Sequence, residues 1–258
     1  MSRLPYYREL GNERSLFKLA FENRLPLLLK GPTGCGKSRF VQAMAAELGR
    51  PLVSVACHDD TSATDLVGRY LIRGGDTVWQ DGPLVRAIRE NAILYLDELA
   101  EAREDVVVVI HPLTDHRREL FVDKTNELLS AGANFMLVAS FNPGYQKRVK
   151  ELKPSTRQRF LSLSFTYPSA PIEAEIISQE SGIELSIAQK LASVGERVRK
   201  LEEMGLAETV STRLLIYAAT LIRAGVPSRQ ACDIALAQPL SDDSEIVQSI
   251  NDVVALIF

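Results

Sequence analysis

Cysteine is scarce and odd in number. Cys35, Cys57 and Cys232 are scattered along the 258 residues. That excludes a disulfide scaffold and suits free thiols in a reducing compartment, so a cytoplasmic protein is expected. Histidine is equally sparse, and His58, His111 and His116 make no metal-ligand spacing with the cysteines. No apolar run reaches the roughly 18 residues a membrane span requires, and no basic-then-apolar leader is present. Neither a membrane span nor a signal peptide is therefore expected. An excess of one charge is missing too: 30 Lys and Arg stand against 33 Asp and Glu, a formal charge of -3. The whole chain has no attraction to nucleic acid or anionic membrane on that balance, although local basic patches can exist. Internal repeats and low-complexity segments are also lacking.

What is there belongs to an ordinary globular chain, with 46% hydrophobic and 24% charged residues. The length buries a substantial core, in one large domain or two modest ones. After an amphipathic helix expected over about 12–23, short apolar runs recur at Leu27-Leu29, Leu52-Ala56, Ala92-Leu96, Phe135-Ser140 and Leu161-Phe165. Helical patterns such as Ser38-Leu48 and Pro83-Arg89 separate most of them. Continuous rather than alternating apolar strands indicate a parallel sheet covered by helices on both faces. Past Tyr167-Pro168-Ser169-Ala170-Pro171 the pattern turns wholly helical, at about 172–180, 185–203, 211–223, 228–237 and 244–256. Ser211-Thr212 and Ser228 are expected N-caps, and Gly205 and Gly225 stand where helices should stop. The expectation is an α/β core over 1–168 and a small all-helical domain over 169–258.

Gly31-x-x-x-x-Gly36-Lys37-Ser38 satisfies the phosphate-loop pattern, with an apolar strand before it and a helix after it. Its glycines turn backbone N–H groups toward phosphates at the positive end of that helix. The expected nucleotide contacts are Gly31, Pro32, Thr33, Gly34, Cys35, Gly36, Lys37, Ser38 and Arg39. Lys37 would reach the β and γ phosphates and Ser38 would coordinate Mg²⁺. The second half of such a site ends another buried run, Ala92-Ile93-Leu94-Tyr95-Leu96-Asp97-Glu98. Asp97 can hold the Mg²⁺ shell, and Glu98 is placed to orient or deprotonate the attacking water. Alone, Asp-Glu after a strand is a solvated terminus; with the loop it indicates ATP hydrolysis. No Asn-Lys-x-Asp stretch reads guanine. Asn142, at the end of Met136-Leu137-Val138-Ala139-Ser140-Phe141-Asn142-Pro143, could hold the water or sense the γ phosphate, where a lone Asn-Pro would otherwise be a turn.

Taken in order, these stretches and Arg157-Gln158-Arg159-Phe160 resemble the AAA+ ATPases of the MoxR group over nearly the whole chain, and Asp81-Gly82-Pro83-Leu84 is a more selective signature of that group. The resemblance implies a P-loop AAA+ core and a helical lid, with Asn142 as first sensor. It implies Arg159, with Arg157 as second choice, as a finger on a neighbouring subunit's ATP. It also implies Arg213 of Ser211-Thr212-Arg213 as the second sensor. The basic neighbours Lys147, Arg148, Lys150 and Lys153 leave a plain solvated edge, or a contact with an acidic partner or nucleic acid, as the other reading of the two arginines.

The resemblance narrows to the NorQ, CbbQ and GvpN branch. Cys57-His58-Asp59-Asp60, Asp65 to Tyr70, Trp79 to Leu84, Tyr95-Leu96-Asp97-Glu98, His111 to Arg118, Asn142-Pro143-Gly144-Tyr145-Gln146 and Leu152 to Phe160 look most like the CbbQ type, ATPase subunits of a Rubisco activase. That implies a ring, usually a hexamer, working with an adaptor that carries a von Willebrand factor A domain. The implied action is release of inhibitory sugar phosphates from Rubisco. The alternatives are a NorQ-like role in activating nitric oxide reductase or supplying its metal, a GvpN-like role in gas-vesicle assembly, and a nucleic-acid-dependent ATPase. The last lacks any recognisable nucleic-acid module.

Gly74-Gly75 between β-prone flanks reads as a hairpin turn near 68–80. In the MoxR group a hairpin here faces the pore, so Tyr70, Leu71, Ile72 and Trp79 either touch substrate or, for Tyr70 and Trp79, pack the hairpin on the core. Val106 to Ile110 is expected as a helix on the core. His111, His116, Arg117 and Arg118 are expected to be structural or partner-facing. Asp60-Thr61-Ser62-Ala63-Thr64 resembles a metal-adhesion motif but is expected to cap the next helix.

Overall fold

The structure, a computed structural model, describes residues 5–143, 152–202 and 209–258, with the backbone alone at 201 and 202. Gly205 as a helix stop, the stretch Gly144-Tyr145-Gln146, and the basic Lys147, Arg148 and Lys150 lie outside the described residues. The chain divides into two units. The first holds Gly11–Gly31 and Lys37–Phe165, and the second holds Tyr6–Leu10, Pro32–Gly36 and Thr166–Phe258.

In the first unit the elements run α1 (Glu13–Glu22), β1 (Leu27–Lys30), α2 (Lys37–Glu47), β2 (Leu52–Ala56), α3 (Ala63–Val67), β3 (Gly68–Arg73), β4 (Asp76–Asp81), α4 (Pro83–Arg89) and β5 (Ile93–Asp97). They continue with α5 (Glu104–Ile110), β6 (Glu119–Val122), β7 (Glu127–Ser130), β8 (Met136–Phe141), α6 (Pro154–Arg157) and β9 (Leu161–Ser164). Five strands form one parallel sheet in the order β2-β5-β8-β1-β9. The central strand β8 is buried at every residue, which is why its sequence does not alternate. Phe17 of α1, Phe40 of α2 and Phe165 pack in series, the first pair edge to face and the second tilted, with ring centroids 5.5 and 5.3 Å apart. Phe17 and Phe40 are wholly buried, each contributing about 1.5–3 kcal/mol. A second set, including Leu66, Leu84, Leu94, Leu96, Val106 and Leu137, fills a core beneath α3, α4 and α5.

Register decides where chemistry can sit. Leu96 pairs with Ala139, and Lys30 pairs with Phe141. The carboxyl ends of β1, β5 and β8 therefore come level, bringing Gly31, Asp97-Glu98 and Asn142 to one edge of the sheet, the usual ligand edge of open α/β sheets.

Local chemistry sets several element starts. Ser62 caps α3 in a reciprocal box: its hydroxyl accepts from the Asp65 N–H, and the Asp65 carboxylate accepts from the Ser62 N–H. The Asp60-to-Thr64 stretch is thus a helix cap. Pro83 at the first position of α4 loses no helical hydrogen bond. Val106 and Ile110 of α5 are buried, while Val108 is exposed. Strands β3 and β4 pair antiparallel, as do β6 and β7. The second of these pairs was not among the strands expected from the sequence. It is short, and its turn uses Asn126 in the left-handed region at φ 52°.

The second unit carries α7 (Ala170–Ser181), α8 (Leu185–Glu202), α9 (Thr212–Arg223), α10 (Ser228–Cys232), a π-helical turn over Asp233–Ala237, α11 (Gln238–Leu240) and α12 (Ser244–Ala255). Ile177, Leu191, Val198, Leu215, Leu236 and Ile250 are among its buried core residues. Ser211 caps α9 by accepting from the Leu214 N–H at 3.3 Å. The expected cap at Ser228 is corrected: Pro227 occupies the N-cap, and Ser228 is the first helical residue. The single helix expected over 228–237 is also corrected. Pro239 has no N–H to offer the Ala235 carbonyl, so the helix widens into a π turn just before it. Among the described residues, no helix is long and apolar enough to cross a membrane.

Candidate nucleotide site

Strand β1 delivers the chain into the glycine-rich loop, and α2 begins at Lys37. Gly34 and Gly36 take φ +70° and +101°, conformations that side-chain-bearing residues adopt at a cost, so the loop's course depends on glycine. Lys37 is 6% exposed, and its ammonium donates to the Gly31 carbonyl at 2.7 Å. Ser38 follows with its hydroxyl donating to Asp97 Oδ2 at 3.0 Å. The expected loop serine and strand-end aspartate, 59 positions apart, therefore touch. Arg39 is exposed in the first turn of α2, and Cys35 is buried.

The other carboxylate oxygen of Asp97 is held separately. Tyr95 OH donates to Oδ1 at 2.7 Å, and Ser140 Oγ donates to the same oxygen. Ser140 also accepts the Glu98 N–H at 3.1 Å. Glu98 itself sits in the left-handed region, φ 57° and ψ 46°, a conformation costing about 1–2 kcal/mol for a residue with a side chain. Neither Tyr95 nor Ser140 was given a role from sequence, because a hydroxyl inside an apolar run reads as part of the strand. The signal available was their polarity at positions otherwise filled by Leu, Ile, Val and Ala. Burial and the Asp97 charge raise the Tyr95 phenol well above its ordinary value, so it remains a donor at neutral pH. Cys57, just past the end of β2, is pushed up to about 12 by burial and the charges of Asp97 and Glu98, so its thiol is no nucleophile.

The donor set fits a small hard cation. Two oxygens at right angles around Mg²⁺, each at about 2.1 Å, stand about 3.0 Å apart, and Ser38 Oγ and Asp97 Oδ2 have that spacing. Asn142, half-buried, follows the end of β8. Arg157 closes α6 half-buried, while Arg159 is more exposed and lies 3.7 Å from Asp115 Oδ2. Asp115 is already gripped by Arg117, which holds its carboxyl down to about 2. His111 Nε2 is 3.4 Å from Thr156 Oγ1. Arg118 donates to the carbonyls of Arg24, Gly132 and Phe135, a structural role.

Pro32, Thr33, Gly34, Cys35 and Gly36 group with the second unit. There the Thr33 carbonyl accepts from Tyr167 OH at 2.9 Å, and a Cβ on Gly34 would stand 2.6 Å from that of Ser211. Arg213 is exposed in the first turn of α9.

A family profile described as AAA domain (dynein-related subfamily) matches residues 26–160, and one described as CbbQ/NirQ/NorQ C-terminal matches 173–257. The denitrification regulatory protein NirQ of Pseudomonas aeruginosa is 56% identical over 98% of this chain and 97% of its own. Protein NorQ of Paracoccus denitrificans is 54% identical over 98% and 94%. Protein CbbQ of Hydrogenophilus thermoluteolus is 50% identical over 98% and 95%. These identities correct the expectation of a closest likeness to CbbQ. Over the whole chain the identity is higher to NirQ and NorQ than to this CbbQ.

Proposed function

The chain belongs to the CbbQ/NirQ/NorQ branch of the MoxR-type AAA+ ATPases, which hydrolyse ATP to act on partner proteins, and on that premise we propose that it is a NorQ-like chaperone that activates nitric oxide reductase or supplies its metal. The observation carrying this client is the higher identity to relatives named NirQ and NorQ than to the one named CbbQ, at near-complete coverage. Two relatives are named for denitrification, the chemistry in which nitric oxide is reduced.

In this reading the backbone N–H groups from Gly31 to Gly36 cradle the phosphates at the start of α2. Lys37 exchanges its bond to the Gly31 carbonyl for phosphate oxygens. Ser38 and Asp97 would hold Mg²⁺, which would supply charge neutralisation to the phosphates. Glu98 orients the attacking water and takes its proton, and Asn142 fixes that water from the neighbouring strand. Arg159 is the finger offered to the adjacent subunit of a ring, taken to be a hexamer, with Arg157 as the second candidate. Arg213 reaches the phosphates from the start of α9. The ring works with an adaptor bearing a von Willebrand factor A domain.

The test is complementation. A denitrifying bacterium lacking its own NorQ receives this chain or its Glu98→Gln variant, and nitric oxide reductase activity is measured in its membranes. Recovery with the wild type alone supports the reading. No recovery, together with ATP-dependent reactivation of inhibited Rubisco by the purified protein and its adaptor, would transfer the client to Rubisco.

A further inference from the structure

We propose that Tyr95 and Ser140 are positioning residues for the metal aspartate: together they hold Oδ1 of Asp97 so that Oδ2 is the oxygen presented to the cation, and Ser140 also fixes the backbone of Glu98. The inference rests on the reading of Ser38 and Asp97 as the Mg²⁺ pair.

The hydrogen-bond inventory carries it. Oδ1 receives two hydroxyl protons, from Tyr95 at 2.7 Å and from Ser140. Oδ2 receives Ser38 at 3.0 Å. Rotating the carboxylate plane away from this orientation would break both bonds to Oδ1, and water cannot readily replace them. Ser140 is wholly buried and Tyr95 is 2% exposed. The carboxylate therefore has one preferred orientation before any cation arrives.

Ser140 is the more informative of the two. A serine hydroxyl has one proton and two lone pairs. Here the proton goes to Asp97 and one lone pair takes the Glu98 N–H. Its neighbours in β8 are Met136, Leu137, Val138, Ala139 and Phe141, all buried. A bare hydroxyl among them would be destabilising, so its place is justified by the two groups it joins. Glu98 needs such a fastening because its backbone lies in the left-handed region. One hydroxyl on the strand that leads into Asn142 thereby ties the orientation of the metal carboxylate to the placement of the water-activating residue.

The experiment measures Mg²⁺ titrations of fluorescent ADP binding, which require no turnover, for wild type, Ser140→Ala, Ser140→Thr, Tyr95→Phe and Asp97→Asn. The Mg²⁺ midpoint should rise about 10- to 100-fold in Ser140→Ala and in Tyr95→Phe, the usual cost of removing a group that orients a metal ligand. Ser140→Thr, which keeps the hydroxyl, should return toward wild type. In ATP turnover at saturating Mg²⁺, Ser140→Ala should lose more kcat than Tyr95→Phe, because Ser140 alone of the two also holds Glu98. Midpoints within twofold of wild type for both variants, with Asp97→Asn strongly raised, would overturn the positioning role and leave the metal site standing. An unchanged midpoint in Asp97→Asn would remove the metal reading, and this inference with it. Either Ser140→Ala or Tyr95→Phe decides the matter if the other fails to fold.

Discussion

At the scale of single residues, the candidate site separates groups that move protons from groups that hold others still. Glu98 is the carboxylate assigned to the water, and its replacement by Gln keeps size and backbone while removing the base. Glu98→Gln should lower ATP turnover by about 10²–10⁴-fold with nucleotide affinity retained, as measured by steady-state hydrolysis beside equilibrium binding. Turnover within threefold of wild type would take the role away from it. A second residue-scale prediction concerns pH. Burial, and then the Arg159 charge, hold the His111 pKa below the ordinary histidine value, against an opposing pull from Asp115. The unfolded state then binds the extra proton first, so His111 costs stability as pH falls below about 6.5 and stops doing so beneath its folded pKa. The melting temperature of His111→Gln should therefore fall less than that of wild type between about pH 7.5 and 5.5. Parallel curves would show that His111 does not contribute. The meeting of Ser38 with Asp97 was legible in sequence because each sits in a pattern with a mechanism. The roles of Tyr95 and Ser140 were not, since only the register of β5 against β8 puts their hydroxyls on one carboxylate.

Among the elements, the helices of the second unit are pinned by a buried ion pair. Glu173 of α7 is wholly buried, and it accepts two hydrogen bonds from Arg199 of α8, at 2.8 and 2.6 Å, and one from Thr212 of α9 at 2.6 Å. Arg199 also donates to the Val210 carbonyl and lies 4.1 Å from the Tyr167 ring centroid. Removing one partner strands a charge in the core, so Arg199→Ala should cost about 3–5 kcal/mol in urea unfolding. Arg199→Met combined with Glu173→Leu should recover much of that, because an apolar pair strands nothing. A single-variant loss below about 1 kcal/mol would mean that water reaches Glu173. The pair itself was invisible in sequence, since Glu173 and Arg199 occupy helical positions that read equally well as solvated. The five sheet strands, in contrast, were legible within a residue or so at each end. Short continuous apolar runs alternating with helical patterns admit few other structures. The β6–β7 pair was missed because four-residue strands with mixed polarity carry no such periodicity.

For the molecule as a whole, the question is whether one chain contains a working ATPase site. Arg159 is exposed, and the carboxylate it lies 3.7 Å from, Asp115, is already committed to Arg117. A guanidinium so lightly held is available to another subunit, and a donor supplied in trans makes hydrolysis depend on assembly. Specific activity should then rise with protein concentration until rings form. A mixing experiment separates this from a finger acting within its own chain. Arg159→Ala subunits keep Glu98, and Glu98→Gln subunits keep Arg159, so each alone should be nearly inactive. In randomly mixed rings a site works when a subunit of the first kind receives the arginine of the second kind. With equal amounts that happens at about one site in four, so the mixture should regain up to about a quarter of wild-type turnover. No gain on mixing would place the finger in cis. Full activity of Arg159→Ala alone would pass the role to Arg157, and the same mixing of Arg157→Ala with Glu98→Gln would then show the recovery.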